Sequence, residues 1–152
     1  MNKLLDDFSL QGRRALVTGS SGGIGLALAR AMAQAGAHVI LNGRDAVKLA
    51  AALATLQAEG LSASSEGFDV TDADAVRAAI DRLEARDPID ILVNNAGMTI
   101  RGPLHEFADA DWRRIMQTNL DSAYYVGQSV ARKMIPRGRG KIINICSVQS
   151  EL

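Results

Sequence analysis

Residues 18–25, which read TGSSGGIG, constrain the fold of this chain more than any other stretch. They follow an apolar run at 15–17 and precede an Ala-rich helical pattern at 26–35. Glycines let a backbone turn tightly and approach a ligand, and the free N–H groups of a helix's first turn attract phosphate. A plain tight turn is the alternative for such a motif taken alone. The strand before it and the helix after it favour a phosphate-binding turn.

The overall composition limits the classes of partner and the compartment. The chain has 152 residues, the length of one domain, and its formal net charge of zero argues against nucleic acid or an anionic membrane surface as a partner. No stretch reaches the roughly 18 uninterrupted apolar residues of a membrane span. The single cysteine, Cys146, is typical of a protein in the reducing cytosol, and its strand-like surroundings predict a buried thiol. Asp6 and Asp7, without an apolar segment beside them, predict that there is no secretory signal.

Five strand-like segments alternate with helical patterns along the whole chain. We expect strands at 13–18, 38–41, 62–68, 89–93 and 141–146. The expected helices cover 23–35, a segment from an N-cap at Asp45 to Gly60, a segment after a capping-box-like Thr71-x-x-Asp74, and 109–134 before the stop signals Pro136 and Gly138. Because crossovers between parallel strands are helical and right-handed, this order predicts an α/β fold with a Rossmann-like, doubly wound parallel sheet.

The residues with functional potential fall at the carboxyl ends of the predicted strands. They are the glycine turn, Asn42-Gly43-Arg44, Asp69, the Asn-Asn-Ala-Gly sequence at 94–97, and Ser147. In doubly wound sheets this edge binds ligands where the strand order reverses. The sequence therefore predicts one site, shared by five loops, and no metal-binding residues within it.

Four motifs in this order resemble the classical short-chain dehydrogenase/reductase family. They are Thr18-Gly19-x-x-x-Gly23-x-Gly25, the sequence at 94–97, Asn119 within Thr-Asn-Leu, and Ser147 at the end of the fifth strand. The glycines at 19, 22 and 25 also fit the spacing of the extended branch, which includes nucleotide-sugar epimerases. The Asn-Asn-Ala-Gly sequence favours the classical branch.

The sequence departs from the family pattern in its catalytic residues, and this affects the expected activity. The family's catalytic Tyr-x-x-x-Lys would follow Ser147 by about a dozen residues, and the sequence ends at Leu152. Neither Tyr124 nor Tyr125 has a lysine four positions later. We therefore expect an incomplete NAD(P)-binding Rossmann domain over 1–152, truncated after its fifth strand, which is the N-terminal part of a longer enzyme and inactive alone. The resemblance implies a homotetramer for the intact enzyme.

The resemblance assigns roles to individual residues. Ser147 would bond the reacting oxygen of the substrate, and Asn119 would hold a water that relays protons. Backbone amides at 20–24 would bind the cofactor's pyrophosphate, and Asp69 with Val70 would enclose the adenine, although Asp69 could instead cap the next helix. Asn94 would support the sheet. The full set of expected cofactor-binding residues is Gly19, Ser20, Ser21, Gly23, Ile24, Gly25, Arg44, Asp69, Val70, Asn95, Ala96 and Gly97.

The end of the second strand indicates which cofactor is preferred. NAD-binding sites place an acidic residue there, against the ribose 2′-hydroxyl. This chain has Gly43 followed by Arg44. A guanidinium binds a 2′-phosphate through charge-assisted hydrogen bonds, each worth about 1.5–3 kcal/mol. We expect NADP to be preferred over NAD, with Arg44 and Ser20 contacting the 2′-phosphate.

The substrate is indicated less directly. Arg101, Gln149 and Ser150 flank the expected active site and suit a polyol or a sugar acid. Within the family the pattern is most similar to gluconate 5-dehydrogenases, which implies interconversion of a secondary alcohol and a ketone, with gluconate and 5-keto-gluconate as the pair. Two alternatives remain. The 3-oxoacyl carrier-protein reductases share every strong motif, and a non-catalytic NADP-binding module would share the turn.

Overall fold

The computed structural model describes residues 8–146, and it confirms the predicted α/β sheet. Five strands pair in parallel in the order β3-β2-β1-β4-β5. The order therefore reverses between β1 and β4, and the loops that follow these two strands meet at this switch point. The strands are β1 (Arg14–Val17), β2 (His38–Gly43), β3 (Ala63–Gly67), β4 (Ile91–Asn94) and β5 (Lys141–Asn144).

Helices connect the strands and cover both faces of the sheet. Asp45 caps the second helix as predicted, because its carboxylate accepts hydrogen bonds of 3.0 Å from the N–H groups of Val47 and Lys48. The helices are α1 (Gly23–Gln34), α2 (Ala46–Ala58), α3 (Ala73–Arg86), α4 (Asp109–Met116) and α5 (Ser122–Arg137), with a 3₁₀ turn at Leu104–Glu106. None of the helices within 8–146 combines the length and apolar character needed to cross a bilayer.

The cap of α3 differs from the prediction. Asp72, not Thr71, is the N-cap residue, and its carboxylate accepts from the N–H groups of Asp74 and Ala75. Thr71 instead donates to Asp69, two residues earlier, through both its N–H and its hydroxyl. Asp69 therefore does not cap α3. A run of Asp and Thr residues offers several equivalent capping side chains, so the sequence alone did not select among them.

The predicted long helix is present and continues one turn further than expected. A π-helical segment, Gln117–Asp121, joins α4 to α5 without leaving helical backbone angles. Pro136 lies inside the last turn of α5, and the helix ends at Gly138 with φ +64°. Arg137 holds this last turn in place, because its guanidinium bonds Glu84 and the Ile89 carbonyl. These contacts anchor the turn that contains Pro136, which lacks a backbone N–H.

Alternate residues of the buried strands divide the core into two layers. Leu16, Ile40 and Leu92 pack toward α3 and α5, while Val17, Val39 and Leu41 pack toward α1 and α2. Both faces of the central strands are therefore apolar, as is typical of parallel sheets. Polar side chains lie instead at the carboxyl ends of the strands, where the candidate site is found.

Candidate cofactor-binding site

A cleft of about 470 Å³ opens at the carboxyl ends of β1, β2 and β4. It lies at the switch point, where the sequence predicted a site. Most of the expected cofactor-binding residues line it. The lining residues are Gly19, Ser21, Gly22, Ile24, Gly25, Asn42, Gly43, Arg44, Phe68, Val70, Thr71, Asn95, Ala96, Gly97, Thr118 and Ile145.

The glycine turn is packed closely against the loop after β4. Gly19 adopts φ +63°, and a Cβ there would lie 2.8 Å from the Ala96 Cα. A Cβ on Gly25 would lie 2.4 Å from the Gly19 carbonyl oxygen and 2.5 Å from Asn95 Nδ2. Glycine is therefore required at both positions, and it brings bare backbone to the floor of the cleft.

The first turn of α1 provides backbone donors that have no partner among residues 8–146. The N-cap residue, Gly22, has no side chain to bond them, and the first intrahelical bond runs from the Leu26 N–H to the Gly22 carbonyl. The N–H groups of Gly23, Ile24 and Gly25 precede that bond and have no intrahelical partner. Together with the positive end of the helix dipole, they form a site for an anion such as a pyrophosphate.

Thr18 and Asn95 fix the turn to β4. The buried Thr18 hydroxyl accepts hydrogen bonds of 3.0 Å from the N–H groups of Asn95 and Ala96. The Asn95 side chain donates to the carbonyls of Thr18 and Gly19. Sequence reasoning gave Thr18 no role of its own, although a threonine that ends an apolar strand is a signal for such a bond.

Ser20 does not reach the cleft. Its side chain is fully buried, and its hydroxyl donates to the Val17 carbonyl at 2.7 Å and accepts from the Asn42 N–H at 2.9 Å. The Ser20 N–H donates to the Asn42 carbonyl. This geometry gives no support to the prediction that Ser20 contacts the cofactor phosphate, because its hydroxyl and its N–H already bond Val17 and Asn42 at the ends of β1 and β2. Ser21 is the serine that lines the cleft.

Asn42 is a second residue whose role the sequence did not indicate. It is almost completely buried at the end of β2, where its side chain donates to the carbonyls of Glu66 and Phe68. Its Oδ1 also lies 3.4 Å from the Gly19 nitrogen. A buried amide inside an apolar strand was the available signal, since buried polar groups need partners.

The end of β2 is closely packed around Gly43. A Cβ on Gly43 would lie 3.0 Å from both the Cβ and the Oγ of Ser21, so the serine would have to move. Arg44 follows and is exposed at the mouth of the cleft, where its Nη1 lies 3.5 Å from Asp69 Oδ2. The cleft therefore presents a hydroxyl and a guanidinium at the point where NAD-binding sites carry a carboxylate.

Asp69 is held as an ionised carboxylate at this mouth. Its Oδ1 accepts from the Thr71 N–H at 2.9 Å and from the Thr71 hydroxyl at 2.7 Å. Partial burial acts to raise the pKa of the Asp69 carboxyl, but the bonds from Thr71 and the Arg44 charge outweigh it and lower the pKa below its usual value. Val70 beside it is buried and lines the cleft.

A larger groove of about 600 Å³ lies next to the cleft, between α2 and β3. Arg44 and Asp69 both border it, but most of its lining is apolar and comes from Leu49, Leu53 and other residues of α2. The groove lacks the glycine turn and the unpaired helix amides. The smaller cleft is therefore the better candidate for a phosphate-bearing ligand.

Asn119 lies in the π-helical segment, close to Gly97. Its Oδ1 accepts from the Met98 N–H at 2.8 Å, and its Nδ2 donates to the Met98 carbonyl at 2.9 Å. The amide thus holds the first residue of the loop that leads away from the cleft. Among the described residues no other group bonds this side chain, so one lone pair and one N–H remain for a water molecule.

The structure does not bring all predicted site residues to the cleft. Arg101 is exposed and is not among the lining residues. Cys146 is exposed rather than buried, as are all four residues of β5, which lies at the edge of the described sheet. The predictions for Ser147, Gln149 and Ser150 lie outside the described residues.

Asn94 links the last described strand to the rest of the fold. Its Nδ2 donates to Asn144 Oδ1 at 2.9 Å and to the Ala123 carbonyl at 3.3 Å. These bonds join β4, β5 and α5 directly behind the cleft. The placement agrees with a supporting role in the sheet.

Comparison with known proteins decides the family. A model of the short chain dehydrogenase family matches residues 13–152. The chain belongs to the short chain dehydrogenase family. The resemblance inferred from the glycine turn and the Asn-Asn-Ala-Gly sequence is therefore confirmed.

Several members of the short chain dehydrogenase family are similar along nearly the whole chain. Gluconate 5-dehydrogenase of Gluconobacter oxydans is 60% identical over 149 residues, which cover 97% of this chain and 58% of that protein. The crystal structure of a gluconate 5-dehydrogenase from Burkholderia cenocepacia in complex with NADP and tartrate is 55% identical with a TM-score of 0.93, covering 98% of this chain and 59% of that one.

The similarity extends to a reductase of another type. A 3-oxoacyl (acyl-carrier-protein) reductase structure from Agrobacterium tumefaciens, with NADP bound, is 41% identical with a TM-score of 0.87 and covers 95% of this chain and 56% of that one. The chain thus spans less than three fifths of the length of these relatives.

Proposed function

We propose that the intact protein is an NADP(H)-dependent oxidoreductase that interconverts a secondary alcohol and a ketone, with gluconate and 5-keto-gluconate as the substrate pair. The observation that carries the proposal is the cleft itself. Bare glycine backbone, three unpaired amides of α1 and the Ser21–Arg44 corner lie along one surface. This combination suits a dinucleotide that carries an additional phosphate.

The cofactor would be held by groups at different points of the cleft. The amides of Gly23, Ile24 and Gly25 would bind the pyrophosphate, and Val70 with Asp69 would enclose the adenine. Ser21 and Arg44 would bind the 2′-phosphate. When bound, NADP(H) supplies the hydride chemistry, and the protein contributes orientation and polarity.

The catalytic roles in the proposal belong to Ser147 and Asn119. Ser147 would donate a hydrogen bond to the reacting oxygen and stabilise charge that develops there. Asn119 would hold a relay water with the donor and acceptor that its bonds to Met98 leave free. Gln149, Ser150 and Arg101 would contact a sugar acid, and the identity to gluconate 5-dehydrogenase of Gluconobacter oxydans supports this choice.

The test is spectrophotometric and uses the intact protein. Absorbance at 340 nm should rise when NADP⁺ and gluconate are supplied and fall when NADPH and 5-keto-gluconate are supplied. Ser147→Ala should abolish both changes without altering NADP⁺ binding. A protein that binds NADP⁺ but changes neither absorbance is not a gluconate oxidoreductase.

Two other functions are separated by the same assay. The similarity to a 3-oxoacyl reductase supports oxidation of NADPH by a 3-oxoacyl thioester as the second candidate. Turnover with an acetoacetyl thioester and none with 5-keto-gluconate would select it. Tight NADP⁺ binding with no turnover on either substrate would select a non-catalytic binding module.

We further propose that the intact protein is a cytoplasmic homo-oligomer, with a tetramer as the expected state. Trp112, Leu120, Tyr124 and Ile135 are all more than half exposed along the continuous helix formed by α4 and α5. Their separations of eight, four and eleven residues put them on one face of that helix. An exposed apolar stripe of this kind supports a subunit contact. Light scattering of the intact protein tests the number of subunits.

A further inference from the structure

The ion pair between Arg44 and Asp69 joins two loops at the mouth of the cleft. Nη1 and Oδ2 are 3.5 Å apart, and the two side chains are 63% and 38% exposed. Among residues 8–146, Asp69 is the only acidic residue that pairs with Arg44. The guanidinium that lines the cleft therefore already has a negatively charged partner.

The carboxylate is the fixed member of the pair. Thr71 donates two hydrogen bonds to Oδ1, so the side chain is restrained and its Oδ2 faces Arg44. An anion that binds Arg44 therefore meets the negative charge of Asp69 behind the guanidinium.

The two nicotinamide cofactors differ at this point by one phosphate. The 2′-phosphate of NADP(H) would share the guanidinium with Asp69, and like charges repel. The 2′-hydroxyl of NAD(H) carries no charge and meets no such repulsion. Asp69 could instead favour NADP(H) by ordering Arg44. The two effects have opposite signs, because loss of the Asp69 charge would lower the NADP(H) preference if Asp69 orders Arg44 and raise it if Asp69 competes for Arg44.

We propose that Asp69 is a cofactor-selectivity residue, which competes with the 2′-phosphate for Arg44 and so narrows the preference for NADP(H) over NAD(H). This inference rests on the proposed function, in which Arg44 binds the 2′-phosphate. It adds a residue that acts against the preference that Arg44 creates. Asp69 therefore reduces the difference in affinity between NADP(H) and NAD(H) that Arg44, in the loop after β2, creates.

The test is a double-mutant cycle read by calorimetric binding of NADP⁺ and NAD⁺ to the intact protein. Asp69→Asn keeps an acceptor for Thr71 and removes the charge. It should raise the ratio of the NAD⁺ to the NADP⁺ dissociation constant by about two- to fivefold, the range of a solvent-exposed charge interaction. In an Arg44→Gln background the same substitution should leave the ratio almost unchanged. Asp74→Asn, an exposed carboxylate in the first turn of α3, is the matched control.

The outcomes separate the inference from the proposed function. If Arg44→Gln lowers the NADP⁺ preference but Asp69→Asn leaves it unchanged or lowers it, the inference is overturned and the proposed cofactor site stands. The inference is also overturned if Asp69→Asn changes the ratio of dissociation constants equally in the wild type and in the Arg44→Gln background. If Arg44→Gln has no effect on the ratio, Arg44 does not bind the 2′-phosphate, and both fail.

Discussion

Gly25 approaches Gly19 so closely that a Cβ on Gly25 would lie 2.4 Å from the Gly19 carbonyl oxygen. The contact joins the first turn of α1 to the end of β1, and it sets the shape of the cleft floor. Because the obstructing atom belongs to backbone, no side-chain rotation relieves the overlap. The relationship explains why the motif needs a glycine here.

Gly25→Ala should therefore destabilise the protein by about 1–3 kcal/mol, the usual cost of forcing a methyl group into a packed site. It should also weaken NADP⁺ binding, since the turn must shift. Urea unfolding measures the first effect. Gly22→Ala is the control for stability, because a Cβ at Gly22 meets no atom of residues 8–146 within 4 Å and its φ of 176° is open to any residue. Equal stabilities for the two variants would contradict this account.

Arg44→Asp should reverse the cofactor preference of the intact enzyme. The substitution removes charge-assisted bonds worth about 1.5–3 kcal/mol and adds repulsion, so the preference for NADP⁺ should fall about tenfold or more. Steady-state kinetics with each cofactor gives the ratio of kcat/KM values. Lys48→Asp makes the same change of charge on the exposed side of α2, outside the cleft lining, and should leave the ratio nearly intact. An unchanged ratio in Arg44→Asp would show that Arg44 is an ordinary loop residue.

His38 should make the protein less stable as the pH falls below about 7. Its ring nitrogens lie 2.8 Å from the hydroxyl oxygens of Ser62 and Ser64, and burial, followed by the Arg14 charge, lowers the pKa of His38 below 6.5. Because its folded pKa is lower, the unfolded chain takes up this proton first, so the free energy of unfolding decreases as pH falls through 6.5 and toward the folded pKa. Above that window both states are neutral and the effect vanishes.

Unfolding free energies at pH 7.5 and pH 5.5 measure this dependence. His38→Gln should show a smaller loss between the two values than the wild type does. His105→Gln, an exposed position on the 3₁₀ turn, should retain the wild-type difference. Identical losses in His38→Gln and the wild type would mean that His38 does not contribute to the acid sensitivity.

Glu84 should matter more to stability than a surface carboxylate. It is almost completely buried, lies 2.6 Å from the Arg137 guanidinium, and accepts a hydrogen bond from the Ile89 N–H. Glu84→Gln leaves the largely buried Arg137 charge uncompensated and should cost about 2 kcal/mol. Asp81→Asn breaks the exposed pair with Lys133 and should cost at most about 0.5 kcal/mol. Denaturant unfolding of the two variants measures the difference. Similar losses of unfolding free energy would refute this ranking.

The sequence predicted the sheet and the position of the site because both depend on periodic apolar segments and on glycine spacing. It did not distinguish Ser20 from Ser21. Both follow Gly19 in the same turn, and only the packing of β1 against β2 directs one hydroxyl inward and the other into the cleft. Local sequence could not supply that difference, because the partner of Ser20 is Asn42, twenty-two residues later.

The end of α5 lies three residues beyond the predicted end for a related reason. A proline two residues after Met134 usually marks the end of a helix. Here the bonds from Arg137 to Glu84 and to the Ile89 carbonyl extend the helix past Pro136, and both partners are distant in sequence. The ion pair of Arg44 with Asp69 also could not be predicted from the sequence, since it joins the loops that follow two different strands.

The most direct test of the central claim is a calorimetric titration of the intact protein with NADP⁺ and, separately, with NAD⁺. The account predicts one saturable NADP⁺ site per chain and weaker binding of NAD⁺, because the cleft ends at Ser21 and Arg44 and has no carboxylate in place of Gly43. It also predicts that Gly25→Ala weakens the binding of both dinucleotides. Absence of NADP⁺ binding, or equal affinity for the two dinucleotides, would contradict it.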